Sequence, residues 1–172
     1  MITIIVGTNR EKSNSKLIAE LYHSLLKSKG VSSQVFEIEN LPKDFAWSEC
    51  FGARTEAYGE LLNKYVVTVD KFVFILPEYH GGYPGIVKSF IDSWSGDMAK
   101  GKHAALVGLS SGRAGNLRGL DAFAAVLGYL QVEVLANRPK LSGIEEILKG
   151  GILNSAEGMD RIEQQIDQLI TI

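Results

Sequence analysis

The sequence is poor in cysteine and contains no long apolar run. Cys50 is the only cysteine among the 172 residues, so no disulfide can form within the chain. The histidines at positions 23, 80 and 103 show none of the spacings expected of a zinc site. No apolar run is long enough to span a bilayer, and no basic region precedes the short apolar run at the N-terminus, as a signal peptide would require. We therefore expect a cytoplasmic protein without a metal or a membrane partner.

An excess of positive charge is also missing. Eighteen basic and twenty acidic side chains give a formal net charge of −2, whereas a nucleic-acid-binding protein needs a basic face that neutralises several phosphates. The composition therefore argues against a nucleic-acid partner. Apolar residues make up 45% of the chain, which is enough for one full core. Because no repeat, low-complexity tract or linker interrupts the sequence, we expect residues 1–172 to form a single domain.

Strand-like and helix-like segments alternate along the chain. Apolar or alternating runs predict strands at residues 2–6, 31–38, 71–76, 104–109 and 132–135. Apolar residues at helical spacing predict helices at residues 15–29, 58–66, 84–94, 117–127 and 156–170, with Pro84 in the first turn of the third. Residues 139–151 show neither pattern. The alternation is typical of βαβ crossovers, which build a parallel sheet covered by helices on both faces.

The segment after the first strand has the composition of an anion site. In open α/β sheets, ligands bind beyond the carboxyl ends of the strands. Arg10 supplies a planar cation suited to a terminal phosphate, and the free N–H groups of the helix that follows favour an anion. Four polar residues accompany it: Thr8, Ser13, Asn14 and Ser15. The alternative is that Ser13 or Asn14 only caps the helix and that Arg10 is a solvated charge.

The segment after the third strand places tyrosines beside glycines. Tyr79 and Tyr83 flank Gly81 and Gly82, so aromatic faces stand next to backbone amides that no Cβ shields. Such a surface suits a flat heteroaromatic ring. The alternative is a tight turn with tyrosines in the core. The segment after the fourth strand, residues 110–116, adds small residues and further backbone donors.

These segments contain no recognisable acid–base pair. Glu78 and His80 do not by themselves define a general base, so we assign His80 no acid–base role. Cys50 has no identifiable basic partner and is interpreted as a small apolar filler. Trp94 and its apolar neighbours are interpreted as core residues.

Together, the motifs resemble the NADPH-dependent FMN reductase family of the flavodoxin-like fold. The family's first loop, Gly-Ser-x-Arg-x-x-Ser-x-Asn, is matched by GTNREKSNS at residues 7–15. Its second motif, Pro-Glu-Tyr-Asn followed by a proline and a Lys-Asn-x-Ile-Asp-Trp helix, is matched by PEYH at residues 77–80, Pro84, KSFID at residues 88–92 and Trp94. The resemblance implies a three-layer α/β sandwich with a five-stranded parallel sheet in the order 2-1-3-4-5.

The resemblance also implies which residues bind FMN. The phosphate would be held by Thr8, Arg10, Ser13, Asn14 and Ser15. The isoalloxazine and ribityl groups would be lined by Pro77, Glu78, Tyr79, His80 and Gly81, with Ser111 and Gly112 on the other side. The chain departs from the family pattern at Thr8, at Ser15 with Asn14 one place early, at His80 and at Ser89. The replacement of asparagine by His80 bears most on flavin affinity and on the shape of the acceptor pocket.

The activity implied by the resemblance is that of an FMN-dependent oxidoreductase. Hydride would pass from NADPH or NADH through FMN to a small acceptor such as a flavin, a quinone, an azo compound or a metal oxyanion, in a ping-pong cycle. The family also implies a homodimer or homotetramer, in which the loop of Phe45, Trp47 and Phe51 is a candidate contributor to a neighbouring flavin pocket.

Three other functions are compatible with the predicted topology. The first is a flavodoxin-type electron carrier, but the modest charge of −2 and Arg10 in the phosphate loop argue against it. The second is a signalling receiver domain, which needs clustered aspartates where this chain has Gly7 and Pro77. The third, an enzyme that processes nucleoside or sugar phosphates, would explain the first loop but not the second.

Overall fold

A parallel sheet lies at the centre of the computed structural model, which describes all 172 residues. Its strands are β1 (Ile2–Val6), β2 (Ser33–Glu37), β3 (Lys71–Pro77), β4 (His103–Leu109) and the two short segments β5 (Glu133–Val134) and β6 (Lys140–Leu141). The order β2-β1-β3-β4-β5 confirms the predicted flavodoxin-like topology. Neighbouring strands of this sheet pair in parallel, so the carboxyl ends of β1, β3 and β4 meet at one edge.

The last strand position of the sheet differs from the prediction. Instead of one strand over residues 132–135, two dipeptides share the position, β5 beside the start of β4 and β6 beside its end. Between them the chain leaves the sheet, because Pro139 has no N–H to donate and the side-chain amide of Gln165 binds the Asn137 carbonyl oxygen at 2.7 Å. The sheet therefore has six strands in five positions.

Helices cover both faces of the sheet. One face carries α1 (Asn14–Ser28) and α7 (Ala156–Thr171). The other face carries α3 (Glu56–Leu62), α4 (Gly85–Asp92) and α5 (Leu117–Tyr129). Two further helices, α2 (Phe45–Ser48) and α6 (Ile144–Ile147), are short. Along β3, Phe72 and Phe74 enter one core, whereas Val73 and Ile75 enter the other. Burial on both faces explains why the strands are continuously apolar.

The two ends of α4 differ slightly from the prediction. Pro84 occupies the N-cap of α4 in an extended conformation rather than its first turn, and Trp94 lies just beyond the end of that helix, where it is buried as predicted.

None of the helices is long and apolar enough to cross a lipid bilayer.

Residues 139–151, which show no clear pattern in the sequence, fold against the edge of the sheet. After α6, the strands β7 (Leu148–Lys149) and β8 (Ile152–Leu153) form an antiparallel hairpin. Gly150 and Gly151 form its turn with φ of 56° and 82°, values that a two-residue hairpin turn favours. The Gly143 N–H donates to the Gly112 carbonyl oxygen and the Ile144 N–H to that of Ser110, both at 3.0 Å. These bonds hold α6 beside the carboxyl end of β4.

Lys102 contacts the carboxyl end of the helical segment that begins with α3. α3 continues as a wider π-helical turn over Asn63–Val67, and the last carbonyl groups of a helix lack partners within it. The Lys102 ammonium donates to the carbonyl oxygens of Val66, Val67 and Val69 at 2.6–2.7 Å. Burial lowers the pKa of Lys102, as expected where part of the hydration shell has been replaced by protein oxygens.

We expect Lys102→Met to lower the free energy of unfolding by about 2 kcal/mol, because hydrogen bonds to a charged donor are lost while the apolar stem is kept. Urea denaturation measures the change. Lys100→Met is the matched control, since Lys100 is exposed and makes no side-chain hydrogen bond. Equal stability losses in the two variants would contradict the assignment.

Candidate functional site

A cleft of about 360 Å³ lies beyond the carboxyl ends of β1, β3 and β4. Its wall comes from the three predicted loops and from α6: Arg10, Lys12, Ser13, Asn14, Ser15, Pro77, Glu78, Tyr79, Leu109, Ser110, Ser111, Ile144 and Glu145. Eight of the twelve predicted site residues are among them, and Thr8, His80, Gly81 and Gly112 are not. The fold therefore brings the three loops to one place, while the binding roles of these residues stay predictions.

The first turn of α1 forms one end of the cleft. Ser13 is the N-cap of this helix, and its hydroxyl accepts the Lys16 N–H at 3.4 Å. Ser15 is 1% exposed, and its hydroxyl has no hydrogen-bond partner. A buried polar group without a partner costs about 1–3 kcal/mol. A ligand that bonds to Ser15 and to the free N–H groups of the first turn would remove this cost.

Thr8 is one of the four predicted site residues that do not line the cleft. It is fully buried below the cleft, where its hydroxyl accepts the Arg10 N–H at 3.1 Å and lies 2.7 Å from the Tyr79 hydroxyl. Through these two hydrogen bonds, the Thr8 hydroxyl joins the first and second loops. Thr8 is therefore in position to orient Arg10 and Tyr79 rather than to contact a ligand in the cleft.

His80 and Gly81 form the tip of a tight turn. The Tyr79 N–H donates to the Gly82 carbonyl oxygen at 2.9 Å, and the Gly82 N–H donates to that of Tyr79 at 3.1 Å. His80 and Gly81 have φ of 51° and 78°, so the segment forms a tight turn, but Tyr79 and Tyr83 are half-buried rather than core residues. Histidine and asparagine both tolerate this left-handed region better than most residues, which explains how His80 replaces the family's asparagine. The His80 side chain is exposed at the rim and makes no hydrogen bond.

Asn116 connects the second and third loops and was not identified from the sequence. This buried residue has φ of 63°. Its side-chain amide donates to the carbonyl oxygens of Leu76 and Pro77 at 3.0 and 3.2 Å, and its N–H donates to the Glu78 carboxylate at 3.0 Å. An asparagine just before a helix is a common N-cap, and that signal identifies the helix start but not these distant partners.

The third loop presents Ser111 to the cleft and turns Gly112 away from it. The Gly112 carbonyl oxygen accepts the Ser110 hydroxyl at 2.8 Å and the Gly143 N–H at 3.0 Å. The Ser111 hydroxyl donates to the Glu145 carboxylate at 2.6 Å. Glu145 is a second cleft residue that sequence reasoning missed, because it lies in the stretch without a recognisable pattern.

Cys50 and the aromatic loop lie outside the cleft. Cys50 packs against the core, and its thiol donates to the Ser89 carbonyl oxygen at 3.3 Å. Burial raises the pKa of Cys50, which is the opposite of what a reactive thiolate needs. Phe45 is buried, whereas Trp47 and Phe51 are 84% and 86% exposed. A subunit contact through the last two residues remains a prediction.

A larger cleft of about 410 Å³ lies between β6 and the start of α7. It is lined in part by Arg113, Lys140 and Arg161. Of the three predicted loops only the third reaches it, through Arg113 and Ala114, and no residue of the first or second loop lines it.

Comparison with known proteins identifies a family and several relatives. Residues 1–141 match the protein family described as NADPH-dependent FMN reductase. A 2-hydroxy-1,4-benzoquinone reductase from Burkholderia sp is 26% identical over 144 residues, which cover 81% of this chain and 76% of that protein. An FMN-dependent NADPH-azoreductase from Staphylococcus aureus (strain USA300) is 25% identical over 115 residues, which cover 63% of this chain and 60% of the azoreductase.

The fold comparison agrees with the sequence comparison. The crystal structure of an NADH:FMN oxidoreductase in its apo form superposes with a TM-score of 0.83. The superposition covers 98% of this chain and 87% of that one at 16% sequence identity. It shows the shared flavodoxin-like fold.

Proposed function

Because the chain belongs to the NADPH-dependent FMN reductase family, we propose that it binds FMN in the 360 Å³ cleft and uses it to reduce a small acceptor with NADPH or NADH. The observation that carries this proposal is the unpartnered, buried hydroxyl of Ser15. It lies in the first turn of a 15-residue helix, in a cleft that the cation of Arg10 also lines. A phosphate supplies the acceptors and the negative charge that these groups lack.

The phosphate would be held at the α1 end of the cleft. Ser15 and the free N–H groups of the first turn would donate hydrogen bonds, and Arg10, which makes no ion pair within the protein, would contribute the charge. Ser13 and Asn14 line the same end. Thr8 would act indirectly, by holding the backbone of Arg10.

The ring system would lie along the second loop. Pro77, Glu78 and Tyr79 line the cleft there, and the left-handed residues His80 and Gly81 fix the turn that presents their backbone. FMN, when bound, supplies the redox chemistry by accepting hydride from the nicotinamide and passing electrons to the acceptor. The chain therefore needs to bind and orient, and no side chain has to act as a proton donor.

The class of electron acceptor is part of this proposal, and the argument for it is chemistry shared with relatives. Two relatives are a benzoquinone reductase and an azoreductase, whose acceptors are a quinone and an azo compound. Both are small conjugated molecules able to take two electrons, and we propose this class for the present chain. Donor and acceptor would use the same open cleft in turn, so initial-rate plots at several acceptor concentrations should give the parallel lines of a ping-pong mechanism.

Anaerobic spectroscopy tests the proposed function directly. The protein is incubated with FMN, freed of excess flavin and mixed with NADPH or NADH without oxygen. We expect retained flavin whose visible absorbance bleaches on mixing. Retained flavin that does not bleach would favour an electron carrier. FMN binding would be contradicted if no flavin were retained and an equilibrium flavin titration also showed no binding.

A further inference from the structure

The cleft contains a carboxylate that no motif explains. Glu145, in the short helix α6, lines the cleft together with Arg10 and Ser15. Its carboxylate accepts the Ser111 hydroxyl at 2.6 Å. This hydrogen bond, followed by its own backbone N–H and the charges of Arg10 and Lys149, lowers the pKa of Glu145. The side chain is therefore ionised at neutral pH.

An ionised carboxylate opposes the binding of a phosphate monoester in the same cleft. A phosphomonoester carries about −1.5 to −2 charges at neutral pH, and charges within one Debye length, about 8 Å at physiological salt, are not fully screened. Glu145 also lines the same cleft as Arg10, the cation that would act on the phosphate. The Ser111 hydroxyl, a donor on the cleft wall, is already used by Glu145. Each effect lowers the affinity for phosphorylated flavin.

The fold does not need this carboxylate in order to place α6. Backbone hydrogen bonds from Gly143 and Ile144 hold the start of the helix on the β4 loop, and the Ile144 side chain is buried. Glu145 itself is exposed, and an exposed hydrogen bond contributes little to stability. The Lys149 ammonium binds the backbone carbonyl oxygen of Glu145 rather than its carboxylate. The carboxylate can thus be neutralised without disturbing the cleft wall.

We propose that Glu145 sets the affinity and the specificity of the cleft for phosphorylated flavin, by opposing the phosphate with its charge and by occupying the Ser111 hydroxyl. The inference rests on the proposed function, because it assumes that the phosphate of FMN lies at the α1 end. Its consequence is an FMN that exchanges with solution more readily than the basic and hydroxyl donors of the cleft alone would allow.

The test compares FMN with riboflavin, which lacks the phosphate, on flavin-free protein. Glu145→Gln keeps the size of the side chain and an oxygen that accepts the Ser111 hydroxyl. We expect the variant to lower the Kd for FMN about tenfold, the change that corresponds to roughly 1.4 kcal/mol, and to leave the Kd for riboflavin within about twofold. Flavin fluorescence quenching measures both constants.

Glu146→Gln is the matched control for net charge. Glu146 is the next residue of α6, is exposed and does not line the cleft, so its loss should leave both Kd values unchanged. Equal tightening of FMN by the two variants, equal tightening of both flavins by Glu145→Gln, or weaker FMN binding by that variant would each overturn the inference while FMN binding stands. Wild-type protein that binds neither flavin would instead overturn the proposed function and this inference with it.

Discussion

Ser15→Ala is expected to weaken FMN binding about 10- to 100-fold while the flavin-free protein keeps its stability or gains some. The two effects have opposite signs because the Ser15 hydroxyl is buried without a partner in the free protein. Removing it deletes an unsatisfied polar group, whereas in the complex it deletes a hydrogen bond to a charged phosphate that is worth about 1.5–3 kcal/mol. Flavin fluorescence titration measures the affinity, and urea denaturation of the flavin-free protein measures the stability.

Ser24→Ala is the matched control for this prediction. Ser24 lies in the same helix, but its hydroxyl donates to the Glu20 carbonyl oxygen at 2.9 Å on the exposed side. The small gain in helix propensity from serine to alanine is common to both variants. Ser24→Ala should therefore not affect FMN binding. If Ser15→Ala lost stability and kept its FMN affinity, the hydroxyl would be a structural group, and the argument for a phosphate at α1 would fail.

Gly108→Ala is expected to lower the free energy of unfolding by at least about 3 kcal/mol, because overpacking at a rigid site has no low-cost relaxation. A Cβ on Gly108 would overlap the Gly115 carbonyl oxygen and lie 2.9 Å from a methyl carbon of Leu120. The loop cannot retreat, since Gly115 has φ of 55° and its own Cβ position is only 2.6 Å from the Cβ of Lys140 in β6. The third loop is thus wedged between two strands.

The same substitution should also disturb the cleft. The loop that Gly108 supports carries Ser111 and leads to Asn116, which holds Glu78. Urea denaturation and FMN titration of one preparation measure both effects. Gly128→Ala in α5 is the control, because no atom lies within 4 Å of its Cβ position, and alanine in a helix should stabilise by about 0.5–1 kcal/mol. A Gly108→Ala protein as stable as that control would show that the loop can move.

Most of the sheet and its helices follow from the sequence, because the patterns that encode them are local. Strands buried on both faces must be apolar at every position, and this made β1, β3 and β4 recognisable. The periodicity of α1 and α7 reflects one buried face and one solvated face. The edge was predicted less well, since the break between β5 and β6 depends on Pro139 and on the distant Gln165.

The candidate site was also predicted only in part from the sequence. Its location at the carboxyl ends of three strands, the N-cap at Ser13 and the similarity of the first two loops to a family follow from residue types at short spacing. The direction in which each loop residue faces does not follow from such local patterns. Thr8 lies under the cleft because Tyr79, 71 positions away, takes its hydroxyl, and Gly112 faces α6 because Gly143 bonds to it.

The sequence by itself therefore determined the fold class, the strand order implied by its motifs and the three segments that form the cleft. Only the tertiary structure decided that Ser15 lacks a partner, that Asn116 joins two loops and that Glu145 enters the cleft. The physical reason is the range of the interactions involved. Burial periodicity and capping act within a few residues, whereas the partners of a polar group in a loop are set by contacts between segments 30 or more positions apart.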